Sequence, residues 1–129
     1  PAGGVVGYAH VCGLAGLEAP PTCEGQDFSA VLLGRQGPDP GHQFIMHIAK
    51  DNASGGSNHP APIFRGVRTK THTFAVKPGG EGFLFDNTRD PYQLNNLYNE
   101  PDAAPLRAEL ASLTRRCLKT AQDPFELPA

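Results

Sequence analysis

Histidine is the side chain that most readily ligates a metal or moves a proton near neutral pH, so the chain's five histidines come first. His42 and His47 are five positions apart, while His59 and His72 each stand alone. None of these spacings sets two ligands on one helix face or in a knuckle, and no intrinsic metal site is expected. Cys12, Cys23 and Cys117 are an odd number at wide spacing, which fits neither a disulfide framework nor paired zinc ligands and leaves one disulfide open. No activating motif accompanies Cys12 or Cys23, and Cys117 falls on the apolar stripe of a helix, where thiols are usually inert. No catalytic nucleophile is expected. Ser54 and Ser57 lie beside His59 in NASGGSNH, a composition that could bind an anion through backbone amides and that is equally ordinary in a flexible loop. Asn52-Ala53-Ser54 also matches a glycosylation acceptor, relevant only to a secreted eukaryotic protein.

The elements that would carry these residues follow from periodicity and breakers. Residues 8–17, YAHVCGLAGL, read as a short helix ending near Gly16, and DFSAVLLG as one or two further turns stopped by Gly34. RQGPDPGH is a loop and the best internal boundary. QFIMHIA is a short apolar run of strand length, followed by a long polar loop over residues 50–62. IFRGVRT and HTFAV, rich in β-branched and aromatic residues, predict a tight hairpin around Thr69–Thr71, and FLFDN a further strand after the turn KPGGEG. From Asp102 the period changes: Ala103, Leu106, Leu110, Leu113 and Cys117 form one apolar stripe on a helix reaching about Thr120. Asp102 is the expected N-cap, with Pro105 in the first turn. Between strand and helix, RDPYQLNNLY predicts a corner in which Tyr92, Leu94 and Leu97 point inward and Asn95 and Asn96 serve the irregular backbone. The expected fold class is α+β: an antiparallel sheet of about four strands with a C-terminal helix packed on one face.

Composition agrees with a single modest core, since the chain has 129 residues and is 39% hydrophobic. A formal charge of −2 offers no broad attraction to nucleic acid or to an anionic membrane, and neither partner is expected. Fifteen glycines and thirteen prolines favour sheet and loop over a helical bundle. No run is long enough to span a bilayer, and PAGGVVGYAH lacks the basic region of a signal peptide. The first residue is not Met, as in a processed product or an expressed piece of something longer; the compartment is left unassigned.

FRGVRTKTHTFAV, GFLFDNTRDPYQLNNLYNEPD and the helix APLRAELASLTRRCL together resemble the C-terminal end of the sulfatase family, in the alkaline-phosphatase-like superfamily. The shared pattern runs through Arg65-x-x-Arg68-Thr69, then Leu84-Phe85-Asp86, then Asp90-Pro91-Tyr92-x-Leu94-Asn95-Asn96-Leu97. Upstream, CGLAGLEAPPTCEGQDFSAVLLG is similar to the family's join to a large domain, although GYAHVCGL replaces the usual Asp-x-x-Pro-Thr start. The resemblance covers most of residues 12–121 and is most specific between Asp86 and Leu97.

What the chain lacks is equally informative. No cysteine or serine begins a Cys-x-(Pro or Ala)-x-Arg motif, or its serine counterpart, in which the family forms formylglycine. The family's calcium-binding acidic motifs are missing too. The resemblance therefore implies that residues 1–40 are a remnant of the join and residues 41–129 a small C-terminal domain, with calcium and formylglycine in a missing N-terminal catalytic domain. It also implies a structural, cleft-lining role. Asn58, His59 and Arg65 are the expected substrate-binding residues, facing a sulfated small molecule or sugar, while Arg65 and Arg68 have the plainer alternative of pairing with acids at the domain junction. Self-association through VCGLAGL and FSAVLL is expected of an orphaned domain. Two other readings stand beside this one: a binding module for a sulfated or phosphorylated ligand, and the tail of a phosphodiester or phosphonate hydrolase.

Overall fold

The computed structural model describes residues 6–23, 25–48 and 63–128. The chain divides into two compact units, Pro1–Gly41 and His42–Ala129.

The first unit holds α1 (Val6–Leu14) and α2 (Ser29–Leu32). Both end in the same way, because Gly16 and Gly34 adopt φ of +70° and +71°, which L side chains resist. At the end of α1, Gly16 N donates to Gly13 O and Leu17 N to Cys12 O; at the end of α2, Gly34 N donates to Val31 O and Arg35 N to Ala30 O. These bonds satisfy carbonyls that the stopped helices would otherwise leave open.

The second unit is a four-stranded antiparallel meander in the order β1 (His42–His47), β2 (Phe64–Thr69), β3 (His72–Val76), β4 (Gly82–Asp86). The register places Phe44 opposite Val67, Val67 opposite Phe74, and Phe74 opposite Leu84, so one row of side chains crosses the whole sheet. On that face α3 (Ala104–Ala121) packs, and Val67, Phe74, Val76, Leu84 and Leu110 form the buried core. Leu106, Leu113 and Cys117 of the expected stripe pack against it half-buried. Thr114, polar and outside that stripe, is fully buried because its hydroxyl donates to Leu110 O at 2.8 Å and so needs no water.

Two local expectations are corrected. A 3₁₀ turn, Pro101–Ala103, takes up Asp102, and α3 begins after Ala103 with no side-chain cap; Pro105 does sit in the first turn. Tyr92 and Leu94 do not point inward, being 83% and 86% exposed. The cause is Gln93, whose left-handed φ of 55° turns its own amide toward the sheet and its neighbours away from it. Leu97 packs against the core as expected.

Where the chain leaves β4 it also closes that strand's outer edge. Asn96 Oδ1 accepts from Leu84 N at 2.9 Å, Asn96 Nδ2 donates to Gly82 O at 3.1 Å, and Leu97 N donates to Leu84 O at 2.8 Å. One side-chain amide thus stands in for a strand and removes a row of unpaired backbone groups.

Candidate functional site

Of the three expected substrate-binding residues, Asn58 and His59 lie outside the described residues. Arg65 is described, near the start of β2, with its side chain only 10% exposed. Its Nε donates to Asp123 Oδ2 at 2.6 Å and its Nη2 to Asp123 Oδ1 at 3.4 Å, a two-point grip. Nη1 donates to His47 O and Phe64 O, both at 3.0 Å, and the guanidinium lies 5.1 Å from the Phe125 ring centroid. Arg65 therefore ties together the last residue of β1, the first of β2 and the segment that follows α3. Its acidic partner belongs to the same unit, 58 residues away, not to a domain junction. Burial disfavours the charged Asp123, yet the hydrogen bond from Arg65, the Phe125 N–H and the Arg65 charge together hold its carboxyl below the ordinary value. Arg68, in contrast, is exposed.

At the opposite end of the sheet a second polar cluster ties the turns together. Gln93 Nε2 donates to Thr73 Oγ1 at 3.1 Å and to Asn87 Oδ1 at 2.8 Å, while Asn87 Nδ2 donates to Thr73 Oγ1 at 3.0 Å. Asn87 N donates to Thr71 O at 2.8 Å, which joins the β2–β3 turn to the turn after β4. Asp86 accepts from the Thr88 hydroxyl and from the N–H groups of Thr88 and Arg89. The Thr88 hydroxyl is the chief reason that the Asp86 carboxyl lies below its ordinary value; its burial opposes this, and the two N–H groups and the charge of His72 assist. Asp90 Oδ2 accepts from Asn95 N at 2.7 Å. Sequence reasoning missed both the Arg65–Asp123 pair and the Gln93 network, since each joins residues that no local pattern brings together.

Among the described residues no group of three or more His, Cys, Asp or Glu could hold a metal ion, and no helix is long and apolar enough to cross a membrane. The three cysteines are free, and burial raises the Cys117 thiol above its ordinary value, against a smaller opposing effect of Arg116. The described residues thus offer hydrogen-bonding and charged surface but no assembled nucleophile.

No family model matches the chain. The ulvan-active sulfatase of Formosa agariphila is 34% identical over 117 residues, a stretch that covers 88% of this chain and 22% of that protein, in its C-terminal part. The chain thus resembles the C-terminal part of a sulfatase. Solved structures share its fold. A 2-O GAG sulfatase superposes with a TM-score of 0.69 at 20% identity over 93% of this chain and 26% of its own. A protein solved with its substrate D-glucosamine-2-N,6-O-disulfate gives 0.68 at 19% identity, with 90% and 24% covered. The phosphonate monoester hydrolase of Agrobacterium radiobacter gives 0.62 at 20% identity, with 88% and 24% covered. The chain spans about a quarter of the length of these proteins.

Proposed function

We propose that this chain is the C-terminal portion of a sulfuric ester hydrolase acting on a sulfated carbohydrate, with the bond-breaking chemistry in a catalytic domain that precedes it. The observation that carries the reading is the 34% identity to the C-terminal part of an ulvan-active sulfatase. The absence of any nucleophile motif in the sequence agrees with it. The fold alone does not choose between sulfate and phosphonate esters, because a phosphonate monoester hydrolase shares it.

In this reading residues 1–40 are the join to the catalytic domain. Their exposed Val11, Leu17 and Leu32, at 65%, 66% and 63%, support that role, as large apolar side chains left without cover. Calcium and formylglycine are assigned to the catalytic domain on the resemblance to sulfatases alone. Asn58 and His59 are the proposed substrate contacts, by hydrogen bonds to a hydroxyl or sulfate oxygen. Arg65, expected as a source of charge for that substrate, ties the end of β1 to the start of β2 through the His47 and Phe64 carbonyls.

Hydrolysis of a chromogenic aryl sulfate tests the proposal, with this chain compared against the parent protein that carries the preceding residues. The expected result is turnover by the parent only, together with dye binding or self-association by the isolated chain. A parent that cleaves phosphonate or phosphodiester substrates but no sulfate ester would overturn it.

A further inference from the structure

The two outer strands of the sheet end differently. Along β4 the Asn96 side chain and Leu97 N engage the backbone of Gly82 and Leu84 and close that edge. At the other edge β1 pairs with β2 alone, and among the described residues no strand or turn pairs with its outer side. Its one side-chain partner for the backbone is Arg65, at the carbonyl of the last residue, His47. An open edge is a template for another strand, and proteins usually blunt it with charges, prolines or bulges. None is present here: HQFIMH contains no Lys, Arg, Asp, Glu, Pro or Gly, and its six residues pair with β2 without a break in register. No residue of β1 is fully buried; Met46 is 40% exposed, and Ile48, just past the strand, 68%.

We infer that β1 is an interface, pairing antiparallel with β1 of a second copy of this chain across a two-fold axis to form one eight-stranded sheet. An axis normal to the sheet keeps α3 on the same face in both copies, so only residues of the same face can oppose each other. Centred on Ile45, the pairing sets Ile45 against itself, Phe44 against the partner's Met46, and His42 against the partner's Ile48. The neighbouring centre, Phe44, would oppose His47 to Gly41, whose φ of +70° is not extended backbone. This self-complementarity is what favours a second copy as the occupant. No Lys, Arg, Asp or Glu is opposed in the strand, and two large apolar side chains that the single chain leaves in water gain cover. The surface is separate from the apolar side chains of residues 1–40, and the inference does not depend on the hydrolytic reading.

The test is light scattering and hydrogen exchange on the full chain. The expected mass rises with concentration from 13.7 kDa toward twice that value, and the amides of residues 42–47 gain protection in step. Ile45→Lys and Ile45→Glu should each weaken the dimer roughly tenfold or more, because the axis places like charges directly opposite, and an equimolar mixture of the two should recover it. Leu17→Asp/Leu32→Asp, altered only in residues 1–40, should dimerise as the unaltered chain does. Ile45 is half-buried, so where its charged variants melt early the exchange data on the unaltered chain decide the matter, and protection of β1 independent of concentration would overturn the inference. A mixture of folded variants that stays monomeric would overturn it too, as would loss of the dimer in Leu17→Asp/Leu32→Asp. A monomeric parent protein would do the same, since its own preceding domain would then cover β1. The readout is mass and exchange, so this inference and the reading as a sulfuric ester hydrolase fail separately.

Discussion

Replacing Asp123 by Ala should destabilise the second unit substantially. Arg65 and Asp123 are 10% and 9% exposed, and the variant leaves Nε and Nη2 of Arg65 without an acceptor in a place that water reaches poorly. Removing one member of such a pair costs about 3–5 kcal/mol when the remaining charge is uncompensated. Here the lower end applies, because Arg65 keeps the carbonyls of His47 and Phe64 and the Phe125 ring, and because Asp123 lies in a terminal segment able to move aside. About 3 kcal/mol corresponds to a fall in Tm of about 12–24 °C for a domain of this size. Thermal unfolding followed by circular dichroism reads it directly. The charge-free pair Arg65→Met/Asp123→Leu should lose less than Asp123→Ala alone, since it removes the stranded cation. The pH dependence follows in sign: the Asp123 carboxyl titrates below its ordinary value of 3.8 in the folded chain, so its contribution is fully present above that pH and disappears as pH falls through the lower folded value. Asp123→Asn should therefore flatten the acid limb of the Tm–pH curve. A loss under about 1 kcal/mol for Asp123→Ala, typical of a surface pair, would refute the reasoning, as would a double variant costing the sum of the singles.

Gly66→Ala should abolish folding of the second unit, since the added methyl would lie 2.0 Å from Phe74 O and 2.6 Å from Ala75 Cα, both backbone atoms; a soluble variant with an unchanged melting curve would show that β2 and β3 do not pair in this register. Asn96→Ala should cost about 1–3 kcal/mol and promote aggregation by uncovering β4, whereas Asn96→Asp keeps the acceptor for Leu84 N and Tyr98 N and should lose less. Gln122→Gly should stabilise α3 by about 0.5–1 kcal/mol in chemical denaturation, because position 122 ends the helix at a φ of 52° that only glycine adopts without strain.

What the sequence made legible was whatever depends on local periodicity. IFRGVRT and HTFAV announce β2 and β3 through β-branched and aromatic content, and the three-four spacing of Leu106, Leu110, Leu113 and Cys117 announces α3 and its buried face. What it hid depends on the third dimension. Thr114 reads as polar and is fully buried because a hydroxyl can bond within its own helix. Tyr92 and Leu94 read as core and are exposed because a single left-handed residue reverses which side chains face the sheet. Arg65 read either as a substrate contact or as the partner of an acid; which acid was hidden, because Asp123, 58 positions away, carries no mark that pairs the two.

The corner from Asp86 to Tyr98 shows why a stretch shared with an enzyme family need not touch substrate. A chain leaving the outer strand of a sheet for a helix must turn sharply, satisfy the backbone of the turn and cover the strand edge behind it. Asp86 supplies the first turn, Asp90 the second, Gln93 the anchor to Thr73 and Asn87, and Asn96 the substitute strand along β4. Asp86, Asp90 and Asn96 each put a short polar side chain where a backbone group would otherwise lack a partner, while Gln93, at the variable position of the motif, bonds to two side chains; these roles invoke no chemistry. Tyr92 and Leu94 are the members this account leaves over. Their exposure follows from the backbone rather than from any chemistry, since Gln93 holds the turn through Thr73 and Asn87 while its two neighbours face water, as single apolar side chains on a surface often do.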